Sequence, residues 1–233
     1  MTSTANAAAS RSGPLSRGLA GEVLSRFRGP GGYYNVGNLI GLFSGLALQF
    51  ATAATSGLSG TDAVAAYLVG SPATVALTAA TIIFLASGEM YYRAWRGGIP
   101  DDDLNRLADL LSAVGGTALA ISLLYLGQPM LATFTGILIV LGKLGSAAFG
   151  DEGNVVPFWP WDWPAPFRSM VLAGRLPAIA AAGLELGHQL GTGGAAVSVI
   201  QPAVLVLCHL LWMRADFLLF RSSRPAAAEP DPY

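Results

Sequence analysis

Five ionisable residues fall within long apolar stretches of this 233-residue chain: Glu89, Lys143, Glu185, His188 and His209. A charge or imidazole in hydrocarbon is costly, and such residues mark ion pathways, proton relays or paired structural sites. At about 1.5 Å per helical residue, Glu89, Lys143 and His209 lie roughly 20–25 Å from the outer ends of their segments, so they could meet in one layer. A Glu89–Lys143 pair with His209 as third member would lower the cost of both charges. The alternative pairs Glu89 with Arg93 one turn away while Lys143 snorkels to the headgroups.

Glu185 and His188 are three residues apart near the outer end of their segment and share a helix face. A carboxylate-bridged di-metal bundle uses two such pairs with further carboxylates, whereas this chain has one. A mononuclear site from Glu185, His188 and Gln189 competes with a proton-exchange site and with an interfacial structural pair.

Cofactor and enzyme chemistry find little support in the residue types. Bis-histidine haem ligation needs two imidazoles at one depth, but His188 is about 4–5 Å and His209 about 21 Å from the outer ends of their helices. Cys208 is the sole cysteine, which excludes an intramolecular disulfide and a thiolate cluster. The chain has no P-loop, GxSxG elbow or Gly-rich dinucleotide turn. The expectation is therefore no enzyme, no metal and no cofactor.

The elements that must position these residues follow from hydropathy. The chain is 53% hydrophobic and only 12% charged, where a soluble domain would have about a quarter of its residues charged. Stretches 29–61, 63–88, 110–142 and 186–213 contain no Asp, Glu, Lys or Arg, and each exceeds the roughly 20 residues needed to cross a bilayer. Breaks rich in Gly, Pro or Ser divide the chain into about six transmembrane helices, near 36–55, 73–95, 107–127, 130–149, 170–190 and 195–220. The fold expected is an all-α polytopic membrane bundle of three hairpins. The 13 Lys and Arg residues all fall on one side of this threading, so the positive-inside rule places both termini in the cytoplasm. Arg-rich, Lys-poor composition suggests a bacterial inner membrane. Residues 1–30 form a basic disordered tail, 31–221 the six-helix domain with an interfacial loop at 150–168, and 222–233 a second disordered tail.

Three packing features stand out. Gly37, Gly41 and Gly45 lay a flat strip along the first helix, suited either to an oligomer interface or to a close contact within the chain. Pro177 and Pro202 interrupt the last two helices and are expected to bend them. Trp159, Trp161 and Trp163 alternate with Pro160, Asp162 and Pro164, which suits an extended strip at the headgroup level, as an anchor or a docking site for a partner. The Asp101–Asp103 run reads as a helix cap.

Two functions compete. In the first, the bundle moves or senses a small solute or ion along the five ionisable residues, and Glu89→Gln or Glu185→Gln abolishes proton-coupled uptake. In the second, it is an accessory or assembly subunit that binds a membrane protein, or another copy of itself, through the glycine strip and the Trp-rich loop. Its constant partner is the lipid bilayer, and nucleic acid is not expected.

Overall fold

A computed structural model of the chain describes residues 29–57, 59–96, 101–150 and 165–222, with Gly18, Gly21 and Phe27. The expected tails and the Trp159, Trp161 and Trp163 strip lie outside the described residues. Seven helices and no strand are found among those described: α1 Gly29–Ser56, α2 Gly60–Val69, α3 Pro72–Trp95, α4 Asp102–Tyr125, α5 Pro129–Phe149, α6 Pro166–Gly191 and α7 Ala196–Ser222. Five of them, α3 to α7, are long and apolar enough to cross a membrane. The first expected span falls on α1, whose 28 residues carry no charge. The protein is an integral membrane protein by this architecture.

Short-range chemistry sets the helix starts. Asp101 caps α4 by accepting the Leu104 amide at 3.0 Å, as the acidic run suggested. Ser71 and Thr74 form a reciprocal capping box at α3, with Pro72 just inside the helix. Helix α2 was not anticipated; Ser59 caps it and accepts from the Asp62 amide at 3.2 Å. Ala165, which is buried, precedes α6 with φ 49°, the sole non-glycine with positive φ among the described residues. Left-handed backbone at an alanine costs about 1–2 kcal/mol, so the surrounding packing must hold the turn that launches α6.

The long helices close into a ring in which α1 packs on α3, α3 on α4, α4 on α5, α5 on α6, α6 on α7, and α7 again on α1. Small residues let the backbones approach. A Cβ at Gly31 would come within 2.5 Å of the Tyr92 amide nitrogen, so α1 and α3 touch there almost backbone to backbone. A Cβ at Gly142 would lie 2.6 Å from Val171 Cγ2 and 2.8 Å from the Phe167 carbonyl, which fixes α5 against α6. Two of the three glycines in the Gly37–Gly41–Gly45 strip face α7 of the same chain: a Cβ at Gly37 would meet the Trp212 indole at 2.6 Å, and one at Gly41 would rest 3.7 Å from Cys208 Sγ. In the middle of α5, Thr135–Val140 widens to a π-helix, and Pro177 and Pro202 sit inside α6 and α7.

Candidate functional site

At the end of the ring where α1 begins and α7 ends, six helices direct polar side chains inward. Helix α1 gives Tyr34, α3 Tyr91, α4 Asp109, α5 Lys143, α6 Arg168 and Arg175, and α7 His209 and Asp216. All eight are buried. Counting from the helix ends, most lie about 6–14 Å inside the bundle.

Lys143 is the centre. Its ammonium lies 2.7 Å from Asp216 Oδ1 and 3.3 Å from Asp109 Oδ1, and donates to the Tyr34 and Tyr91 hydroxyls at 2.6 and 2.9 Å. Two arms of matching chemistry leave it. In one, the Tyr91 hydroxyl donates to Asp109 Oδ1 and Arg168 grips both oxygens of Asp109, at 2.7 and 2.6 Å. In the other, the Tyr34 hydroxyl donates to Asp216 Oδ1 and Arg175 Nε donates to Asp216 Oδ2 at 3.0 Å. The two arginines are seven residues apart on α6, two turns along one face, so a single helix serves both carboxylates.

Three cations face two anions, leaving a formal charge of +1 in the layer. Burying ions in hydrocarbon is tolerable only with such close pairing and hydrogen bonding, and losing one partner of a buried pair costs roughly 3–5 kcal/mol. Every carboxylate oxygen of Asp109 and Asp216 is engaged. A continuous chain of exchangeable protons therefore runs Asp216, Tyr34, Lys143, Tyr91, Asp109. At the inner edge of the layer, Arg175 Nη1 approaches His209 Nδ1 at 3.5 Å and its guanidinium lies 5.3 Å from the Trp212 ring centre. An Nδ1 that accepts from a guanidinium leaves the imidazole proton on Nε2.

Beyond Trp212 the ring is hollow. A cavity of about 310 Å³ lies between α1, α3, α4 and α7, running from Asn38, Cys208 and Trp212 at its floor to Thr74, Leu126 and Gln201 toward the opposite end of the bundle. From Gln201 to Trp212 is about 16 Å along α7. Trp212 Nε1 donates to Asn38 Oδ1 at 3.0 Å, and its ring packs edge-on against His209. One indole thus separates the apolar hollow from the charge layer.

The residues anticipated from sequence divide between the two ends. Lys143 and His209 enter the layer. Of the two readings for Glu89, the local pair is the one found: Glu89 accepts from Arg93 at 2.9 Å on its own helix, while Lys143 is held by Asp109 and Asp216 and not by Glu89. Snorkelling of Lys143 is overturned as well, since only 1% of its side chain is exposed. Glu185 bonds Gln189 at 2.7 Å and lines a smaller hollow of about 170 Å³ at the opposite end. His188 is exposed there, its carbonyl accepting from Thr192. Among the described residues, no group of three or more His, Cys, Asp or Glu side chains is placed to hold a metal ion.

Asp109, Asp216, Arg168, Arg175, Tyr34 and Tyr91 were not singled out in the sequence. A signal existed: Tyr-Tyr recurs at 33–34 and 91–92 and Ala-Asp at 108–109 and 215–216, and each copy supplies one member of the network. No protein family, curated protein or solved structure matches this chain, so its function must be read from its own geometry.

Proposed function

We propose that the protein is a carrier of a small solute or ion, in which the hollow between α1, α3, α4 and α7 is the vestibule and the Asp109–Lys143–Asp216 layer is the closed gate. The observation that carries this reading is the position of Trp212, which forms the floor of the hollow and also lies 5.3 Å from the Arg175 guanidinium. Movement of that indole joins an apolar entry to a string of ionisable groups, the arrangement alternating access requires. The pathway then includes Lys143 and His209 from the sequence candidates, with Glu185 and His188 at the vestibule end and Glu89 outside the layer. Arg93, Arg96, Arg106, Arg214 and Arg221 lie near the gate end of their helices, which supports a bacterial inner-membrane orientation with the gate and both termini toward the cytoplasm.

The second reading, a non-catalytic accessory or assembly subunit, draws on the completeness of the ion pairing, which also suits a rigid scaffold. Against it, Gly37 and Gly41 of the glycine strip proposed as its docking surface already face α7 of the same chain. The deciding experiment is electrical recording on reconstituted proteoliposomes challenged with proton gradients and a panel of small organic ions. Solute-dependent charge movement in the wild type, lost in Asp216→Asn, supports the carrier; silence toward the whole panel, with a stoichiometric membrane partner on gentle purification, supports the subunit.

A further inference from the structure

The floor of the hollow holds an incompletely bonded amide. Asn38 is 5% exposed, and its Oδ1 accepts from Trp212 Nε1, but its Nδ2 has no hydrogen-bond partner. A buried N–H donor left unmade costs about 1–3 kcal/mol. Three hydroxyls elsewhere along the hollow have partners: Ser122 donates to the Ala73 carbonyl, Thr81 to the Leu77 carbonyl and Thr74 to the Ser71 carbonyl. Cys208 Sγ donates to the Gly37 carbonyl. The remaining walls are largely aliphatic and aromatic, with Leu77, Phe84, Leu119, Leu123 and Leu205 among them. At about 310 Å³ the space is at the small end of those that hold organic ligands, which are typically about 300–1,000 Å³ with few polar anchors.

We infer that this hollow is a binding site for an elongated apolar molecule bearing a carbonyl oxygen at its leading end, which accepts a hydrogen bond from Asn38 Nδ2. The apolar body fills the channel back toward Leu126 and Gln201. Neither an acyl ester nor a quinone head is distinguished by one amide donor, so the shared chemistry is the carbonyl. The inference rests on the carrier reading only for what happens after binding; occupancy itself is measurable without flux.

Cys208 lines the hollow and is the sole cysteine, so its alkylation reports occupancy. Purified full-length protein in nanodiscs is treated with N-ethylmaleimide in the presence of decylubiquinone, methyl laurate or dodecane. The carbonyl-bearing probes protect Cys208 at concentrations about fivefold lower than dodecane, the worth of one neutral hydrogen bond. Asn38→Leu removes that difference while leaving dodecane protection unchanged, and Leu205→Trp, which narrows the hollow without touching Asn38, abolishes protection by all three. Preference for the quinone or for the ester names the source of the occupant. Equal protection by dodecane and the carbonyl probes in the wild type, or alkylation unaffected by any probe, overturns the inference. If Cys208 proves inert, the same comparison is read from the dose at which each probe raises Tm in the wild type and not in Leu205→Trp. Binding without solute-dependent current refutes the carrier and leaves the site standing; current with no probe bound does the reverse.

Discussion

The rings of Tyr34 and Tyr91 stack with centroids 4.9 Å apart and planes inclined by 11°, and the Lys143 ammonium lies 5.0 Å from each centroid. Their helices are brought together by the near-backbone contact at Gly31, so a packing feature of α1 and α3 determines where two hydroxyls meet one amine. Each hydroxyl then donates to a different aspartate. The stack is the hinge between the two arms, and it couples charges that four different helices contribute.

Removing one hydroxyl tests that coupling gently. Tyr34→Phe and Tyr91→Phe keep the stacked rings but each deletes a hydrogen bond to a carboxylate, worth about 1.5–3 kcal/mol for a charged acceptor. Each single variant should lower thermal stability in nanodiscs by that order. Because both hydroxyls also accept from Lys143, the double variant should depart from additivity by more than about 0.5 kcal/mol. Additive losses would mean that the two arms are independent.

Lys143→Met is expected to be the more severe change. It leaves Asp109 with Arg168 and Asp216 with Arg175, but places two carboxylates near each other without the cation between them. The expected loss is about 3–5 kcal/mol, with loss of any solute-dependent current. Adding Asp216→Asn to Lys143→Met should cost less than the sum of the two single losses, since the Lys143–Asp216 bond can be lost only once and the carboxylate pair left by Lys143→Met no longer repels; calorimetry or fluorescence melting of the four proteins in a double-mutant cycle measures it. A double variant no better than the sum of its parts would show that Lys143 does not act through Asp216.

Glu89 provides the contrast. Its pair with Arg93 is an i,i+4 contact in which the Arg93 side chain is 54% exposed, and exposed helical pairs are worth only about 0.3–0.5 kcal/mol. The Glu89–Arg93 bond should therefore contribute little, and Glu89→Gln should leave current intact where Asp109→Asn abolishes it. Equal loss in both variants would return Glu89 to the pathway.

This contrast also marks how far the sequence could be read. Helix positions were legible because apolar runs bounded by Pro72, Asp101, Pro129 and Pro166 carry their own start signals, and five of the expected spans overlap α3 to α7. The short α2 was missed because its ten residues look like a connection between longer apolar runs. The charge layer was only partly legible. Lys143 and His209 stand alone in apolar sequence, but Asp109, Arg168 and Asp216 lie near helix ends, where charges ordinarily face headgroups and water. Arg168 and Arg175 count among the 13 basic residues on one side of the threading, which hid their pairing, since burial depends on which helices close around them. Ring closure, here from α7 back to α1, is a tertiary property that no local pattern contains.

Trp212 is the residue on which vestibule and gate depend together, and its removal should affect the two sides differently. Trp212→Phe keeps a ring beside Arg175 but loses the Nε1 bond to Asn38, so it should loosen the floor without opening it. Trp212→Ala removes the partition, leaving the hollow continuous with Arg175 and His209. A charged thiol reagent such as a trimethylammonium methanethiosulfonate, added from the side opposite the termini, should then modify Cys208 at least about tenfold faster than in the wild type, because water and ions reach the floor more readily. Added from the side of the termini, it should gain far less, since the Asp109–Lys143–Asp216 layer still closes that end. Asp216→Asn should reverse the sidedness by weakening the layer while Trp212 remains. If both variants accelerate labelling equally from both sides, the indole and the ion pairs form one barrier and not two, and alternating access through this pathway is excluded.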